Sequence, residues 1–368
     1  MLSFELKDSF LSIIRLGIGH GSCSNSTIDD WKQLKDLAEA QGLSAIVLDG
    51  IDVSTGSANN EVDTLPLQMK LEWIGDVLQN YESRYKQYQD AIGSLAAFYN
   101  QHGFKMMVLK GYGLSLNYPK PNNRPCGDID IWLFGQQKEA DEALNAWFKV
   151  QGSKFKIDTS HHHHTVFEWK GFSVENHYDF LNVHHHKSNM EMEKILKDFG
   201  QDDSHYVEID GEKVYLPSAN LHAMFMLRHA MSNFASTGFN LRQLLDWGFF
   251  VEKHGYEIDW DWLDKQLGHF GMKKLYDIFN AICVGDLGFD VNIFPKVQFD
   301  PMVKDRVLND ILSPEFNEKE KGGFCSRAIF KYRRWKANAW KHELCFSESM
   351  SSAFWSGVKS HLLKPASI

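Results

Sequence analysis

The chain has 368 residues, 43% of them hydrophobic and 24% charged, which is enough for two or three domains and too apolar for a disordered polymer. Its net charge of −9, with pI near 6.0, argues against a protein that coats nucleic acid non-specifically, though it leaves room for a local basic patch. The first residues lack the basic and apolar regions of a secretory signal, and no apolar run approaches the roughly 20 residues that span a bilayer; a soluble cytoplasmic protein with no membrane partner is expected.

Residues 1–100 read as a helical region. Leu6 to Leu16 is a helix stopped by Gly17, Gly19 and Gly21. Thr27-Ile28-Asp29-Asp30 reads as a cap with an acidic first turn, leading into Trp31, Leu34, Leu37 and Ala38. Glu61 to Asn100 reads as one long or broken helix, with Leu71, Ile74, Val77, Leu78, Tyr81 and Tyr85 on its apolar stripe. From Phe104 the period changes. Lys105 to Leu109 is a short buried strand, Gly111 to Asn117 a helix, Arg124 to Phe134 a second strand and Gln136 to Val150 an amphipathic helix. His164–Trp169 and Phe172–Asp179 form a hairpin about Lys170-Gly171; His205–Ile209 and Lys213–Leu216 form another about Asp210-Gly211, with a helix from Met190 to Phe199 between them. Helices then return: one capped by Ser218, Asn240 to His254, one capped by Asp259, Lys273 to Gly285, and three more over 302–312, 325–346 and 350–363. The fold class is α+β, a small mixed sheet flanked by helical regions. The expected divisions are 1–100, a core at 101–217 and a helical domain at 218–368.

The core holds the candidate chemistry. Strand side chains alternate, so Asp128 and Asp130 share one face and Ile129 and Ile131 the other. Two carboxylates on one strand suit Mg²⁺, which takes hard oxygen ligands together with substrate phosphates; alone, they equally suit the wet side of a half-buried strand. In Phe172–Asp179, Glu175, His177 and Asp179 share a face, and a mid-strand Glu175 calls for compensation. Beside the Asp128/Asp130 strand, Glu175 would complete a three-acid cluster of the kind that two-metal phosphoryl transfer uses; an edge-strand solvent face is the alternative. Lys110-Gly111-Tyr112-Gly113 lies where a phosphate grip is needed, with Lys110 and Arg124 as fixed positive charges, although a plain strand-to-helix turn explains the glycines as well.

Val108-Leu109-Lys110-Gly111, Tyr118-Pro119, Arg124 and Gly127-Asp128-Ile129-Asp130, in that order, resemble the uncharacterised nucleotidyltransferases of the DNA polymerase β-like superfamily, and more remotely the AbiEii-type toxin nucleotidyltransferases. The resemblance runs over roughly residues 104–255. It implies that Asp128 and Asp130 bind Mg²⁺ (or Mn²⁺), joined by Glu175 in Val174-Glu175-Asn176-His177, and that Lys110, Gly111, Arg124 and Gly127 meet the nucleotide. Arg228-His229 and Arg242-Gln243-Leu244-Leu245-Asp246 match the family's helical segment, which brings Arg242 and Asp246 to the margin of the site. The sequence departs from the superfamily at three points: Tyr112 replaces the usual serine, the third acid is Glu, and no downstream triphosphate lysine stands out. The expected activity is transfer of a nucleoside monophosphate from an NTP, ATP included, to an acceptor that is a protein, an RNA or a small molecule. A binding or scaffold protein that kept the fold without turnover, and a toxin-like tRNA-modifying enzyme, are the alternatives.

Other features compete for attention. His161–His164 and His184–His186 are histidine runs, but contiguous residues do not ordinarily converge on one ion, so zinc is not expected; a site-lining part for His163 or His164, and for His177, is. Lys319 to Lys341 interleaves basic and aromatic residues, which suits single-stranded nucleic acid or, with the rings packed inward, an ordinary amphipathic helix. Glu208 reads as a solvent-face acid. Cys23, Cys126, Cys283, Cys325 and Cys345 include no Cys-x-x-Cys, so reduced thiols are expected.

Overall fold

The computed structural model describes residues 3–21, 28, 30–55, 65–152, 156–161, 163–183, 186–236, 238–320, 322–353 and 355–356. Three helices open the chain: α1 (Phe4–Gly17), α2 (Trp31–Ala40) and α3 (Ser44–Thr55). Asp30 caps α2 by accepting from the Gln33 backbone N–H; Thr27 and Asp29 lie outside the described residues. Helices α1 and α3 cross at Gly17 and Gly50, where a Cβ would meet the carbonyl oxygens of Ile46 and Ile13 at 2.0 and 2.1 Å. So Gly17 serves a close helix crossing as well as a stop.

The long helix expected over Glu61 to Asn100 is two: α4 (Leu67–Val77) and α5 (Arg84–Gln101), joined by a π-helical stretch, Leu78–Ser83. Its apolar face also differs from the stripe read in the sequence. Trp73 and Val77 are buried, while Leu71 and Leu78 are 60% and 51% exposed. The Trp73 indole N–H reaches the Ser44 carbonyl at 3.1 Å and fixes which side of α4 docks on α3. The wider i→i+5 turn then shifts the phase, so that Tyr88, Ile92, Leu95 and Tyr99 of α5 face inward.

Six strands form one mixed sheet: β1 (Met107–Val108), β2 (Ile129–Trp132), β3 (His164–Trp169), β4 (Phe172–His177), β5 (Tyr206–Ile209) and β6 (Glu212–Tyr215), in the order β3-β4-β2-β1-β6-β5. The hairpins β3-β4 and β5-β6 are antiparallel, β1 pairs antiparallel with β2, and the β2-β4 and β1-β6 pairs are parallel. The acidic strand is shorter than the span Arg124 to Phe134. Residues 124–127 leave the ladder, and a 3-10 turn at Pro121–Asn123 precedes them. Between the strands, α6 is a single turn (Tyr112–Ser115), α7 spans Gln137–Val150 and α8 spans Lys187–Phe199.

One face of the sheet, through Ile129, Ile131, Phe172 and Val174, packs with Ile92 and Leu95 of α5 and Leu144 of α7. The opposite face, through Met107, Leu109 and Trp132, joins a second core. That core also holds Phe10 and Ile14 of α1 and residues of α9 (Ala219–Ala235), α10 (Leu241–His254), α12 (Lys273–Gly285) and α13 (Pro301–Leu312). Helix α11 (Trp260–His269) is capped by Asp259, and α10 by Asn240 and Gln243 acting as a reciprocal capping box. Ser218 sits at the N-cap of α9 without a side-chain cap bond.

The helix expected over 325–346 breaks at Asn338 into α14 (Phe324–Ala337) and α15 (Ala339–Cys345). The Asn338 side chain reaches the Ser236 carbonyl, anchoring the break to the end of α9. Residues 350–353 are helical; 357–363 lie outside the described residues. Among the described residues no helix is long and apolar enough to cross a membrane. Cys126, Cys283 and Cys345 are free thiols; the side chains of Cys23 and Cys325 are outside the described set.

Candidate active site

The site grows from the parallel pairing of β2 with β4. In that ladder Asp130 stands directly opposite Glu175, and Trp132 opposite His177. Cross-strand neighbours on one face come within side-chain reach, so the register alone puts two carboxylates side by side. On the other flank the Leu109 N–H donates to the Asp130 carbonyl at 3.0 Å, which delivers Lys110 to the same place. The Lys110 Nζ lies 2.8 Å from Asp130 Oδ1. His177 Nε2 is 3.1 Å from the same oxygen and 3.4 Å from Glu175 Oε2, while its Nδ1 lies 3.2 Å from the Asp179 carbonyl.

Electrostatics follow from this geometry. Burial pushes Asp130 up, but Lys110 and the His177 hydrogen bond outweigh it and hold the carboxyl well below its ordinary range. Burial opposes charge on His177, yet its bonds to Asp130 and Glu175 prevail and raise it to about 9. Glu175 is likewise pulled down against its burial, chiefly by the His177 hydrogen bond. Asp128 lies just before the strand and is exposed; partial burial and then the charges of Glu175 and Asp130 raise its pKa. His164, paired with His177 across β3-β4, is lowered to about 4 by burial, with its Nε2 3.9 Å from Glu175 Oε1.

Lys110, Gly111, Arg124, Gly127, Asp128, Asp130, Glu175, Arg242 and Asp246 all line one cavity of about 350 Å³. His164 and His177 stand behind its acidic wall. The compact donor set differs in one member from the three acids expected: Asp130, Glu175 and His177 bring their ligand atoms within 4.8 Å of one another, and Asp128 opens into the same cavity from outside that set. Carboxylate oxygens facing a cavity, with a buried imidazole behind them, fit a hard divalent cation.

One expectation about the positive charges changes. Arg124 is buried and turned onto Asp246 in a bidentate pair, Nε to Oδ1 at 2.7 Å and Nη2 to Oδ2 at 3.0 Å. Tyr118 donates to the same Asp246 Oδ1 at 2.7 Å. Arg242, on α10, lines the cavity, and its Nε is buried with no hydrogen-bond partner. Helix α6 is one turn long, too short for a useful dipole. What Gly111 supplies there is a backbone at φ +53, tight enough that a Cβ would come within 2.2 Å of the Tyr88 hydroxyl. Tyr112, in the place of the superfamily's serine, is buried, and its hydroxyl accepts from Gln89.

Sequence reasoning missed the part played by His229. From α9 its Nε2 lies 3.4 Å from Lys110 Nζ; that cation and then burial lower it to about 3, so it is a neutral acceptor for the ammonium. No local signal marks it, because the contact joins residues 119 apart. Elsewhere, Glu208 is exposed, as expected. His186 pairs with Glu348 and stacks on Phe346; His184 and His185 lie outside the described residues.

Set beside known proteins, residues 28–283 match a family described as uncharacterised nucleotidyltransferase. The match extends beyond 104–255 in both directions, into the helices on either side of the sheet. A search of curated proteins finds no match. A solved structure similar to part of the chain is an antigenic nucleotidyltransferase-like protein from Paracoccidioides brasiliensis, at 17% identity, covering 45% of this chain and 76% of that one with a TM-score of 0.32.

Proposed function

This chain belongs to the uncharacterised nucleotidyltransferase family, and from that premise we propose that it transfers a nucleoside monophosphate from an NTP to an acceptor hydroxyl, with Mg²⁺ (or Mn²⁺) held by Asp128, Asp130 and Glu175. The observation that carries the reading is the β2-β4 register, which sets Asp130 against Glu175 on the wall of a cavity that also holds Lys110 and Arg242. When bound, the metal ion neutralises triphosphate charge and makes the acceptor hydroxyl a better nucleophile. Lys110, steadied by Asp130 and His229, faces the charge that grows on the α-phosphate. Arg242, which lines the cavity, takes the phosphate contact expected of Arg124, because Arg124 is committed to Asp246. His177 positions Asp130 and Glu175. The acceptor oxygen bonds to the α-phosphorus as the bond to the bridging oxygen breaks; pyrophosphate leaves, and the hydroxyl proton passes to Glu175.

One observation favours nucleic acid as the acceptor. On α14, Tyr332 and Trp335 are 59% and 38% exposed and stack at 29°, with Lys331 and Lys336 exposed beside them. Bases can stack on such rings. The basic stretch is narrower than it reads in sequence, since Arg327 and Arg333 pair with Glu320 and Glu318, and Lys341 is buried against Asp310.

Incubation with Mg²⁺ and each labelled NTP, over protein, RNA and small-molecule acceptors, tests the reading. Transfer and Mg²⁺-dependent thermal stabilisation by an NTP are expected in the wild type, and both should vanish in Asp130→Ala. Stabilisation without Mg²⁺, or unchanged in that variant, overturns the metal assignment. Neither transfer nor stabilisation with any NTP leaves a binding or scaffold protein.

A further inference from the structure

The chain bends just where β3 begins. The His163 carbonyl accepts from the backbone N–H groups of both Tyr178 (3.0 Å) and Asp179 (3.1 Å), and the Tyr178 hydroxyl donates to the carbonyls of His161 and His164, each at 3.2 Å. These clamps hold the histidine run against the end of β4. As a result His163 and His164, neighbours in sequence, do not diverge. Their rings lie 4.3 Å apart, edge to face, and both approach His177, at 5.6 and 5.2 Å between centroids. One ring nitrogen from each of the three lies within 4.8 Å of the others. Contiguous histidines converge here because the third imidazole comes from the neighbouring strand and the bend turns the first two towards it.

We propose that His163, His164 and His177 form a site for a borderline divalent ion of the Co²⁺, Ni²⁺ and Zn²⁺ class, distinct in chemistry from the carboxylate site that takes Mg²⁺. Three imidazoles are the donor set of such ions, whereas Mg²⁺ prefers oxygen and keeps its waters. Two further observations point the same way. The His164 Nδ1 is buried without a hydrogen-bond partner, although the residue is only 6% exposed. The Asp179 carbonyl lies 3.2 Å from His177 Nδ1, which keeps a proton on that nitrogen and makes Nε2 the ligating atom; an ion there displaces the proton that Nε2 shares with Asp130 and Glu175. Glu175 lies 3.9 and 3.4 Å from His164 Nε2 and His177 Nε2, so its carboxylate borders the three imidazoles on the side of the cavity. His161 stacks on His164 at 4.6 Å and 23° and steadies it from outside. The site lies behind the acidic wall of the cavity, so it acts on the shape of that wall and needs no nucleotide to be filled. The inference stands whether or not nucleotidyl transfer does.

The test uses the full chain stripped with EDTA, without nucleotide, titrated with Co²⁺ and then Zn²⁺. One equivalent of Co²⁺ with a visible ligand-field band is expected, displaced by Zn²⁺ and not by excess Mg²⁺, and Zn²⁺ should raise the melting temperature. His163→Ala and His164→Ala should each weaken Co²⁺ binding about tenfold or more, while Asp128→Asn binds Co²⁺ as wild type and loses affinity for Mg²⁺-NTP. His163 is half-buried, so His163→Ala serves if the deeper variant does not fold. The proposal is overturned if the histidine variants keep wild-type Co²⁺ affinity, if excess Mg²⁺ displaces the ion, or if Asp128→Asn loses Co²⁺ as completely as they do.

Discussion

Two aspartates in the middle of this molecule each meet a basic residue, and they end in opposite situations. Both oxygens of Asp246 are engaged, although the residue borders the same cavity as Asp130. Arg124 takes both of its oxygens, Tyr118 adds a hydroxyl, and all three are buried. Asp130 is closed on one side only. Lys110 and His177 share a single oxygen, and the group abuts a cavity with Asp128 and Glu175 beside it. In the first network donors and acceptors match, so it braces α10 against the loop before β2. In the second, three carboxylates face one ammonium and one imidazole, and the deficit of positive charge is what a cation and a phosphate chain can use. Neither residue type nor bordering the cavity separates brace from site; the balance of donors and carboxylates does.

The sharpest way to break this comparison is Asp246→Ala. It leaves Arg124 buried and unpaired, and a loss of about 3–5 kcal/mol in urea unfolding is expected. A loss below about 1 kcal/mol, the scale of an exposed pair, would mean that the network is no brace. Asp130→Asn should behave the other way. Activity should fall by about a hundredfold or more, while the unfolding midpoint moves less than in Asp246→Ala, because Lys110 reaches solvent and His177 keeps Glu175. Equal effects of the two variants on stability would erase the distinction. Tyr118→Phe removes one hydrogen bond to a charged group and should cost about 1.5–3 kcal/mol, with kcat for nucleotide transfer close to wild type.

The smallest effect is a pH slope. His222, on α9, lies in the field of Asp246 and Arg124 and is lowered to about 3, mainly by burial. Its folded pKa lies below the unfolded value near 6.5. The stability it contributes is therefore fully present above pH 6.5 and is lost as pH falls towards 3. Asp246, also depressed, adds its loss below its ordinary value of 3.8. Urea midpoints between pH 7 and 4 should fall in the wild type and fall less steeply in His222→Gln; identical slopes would remove His222 from the account.

What was legible in the sequence was local. Both hairpins and the caps Asp30 and Asp259 rest on contacts a few residues apart. The same reasoning failed on the stripe of α4, where a docking indole and a π-helical phase shift decided burial, and on the helix broken at Asn338.

The sequence by itself determined an α+β chain with an acidic strand and the order of residues that carries the family resemblance, because alternation, turn chemistry and motif order are written in neighbouring positions. The tertiary structure alone decided that Asp130 faces Glu175, that Arg124 belongs to Asp246 122 residues away, that His229 meets Lys110, and that contiguous histidines converge. Those outcomes depend on strand register and helix docking, which are set by the whole core, and no short window of sequence contains them.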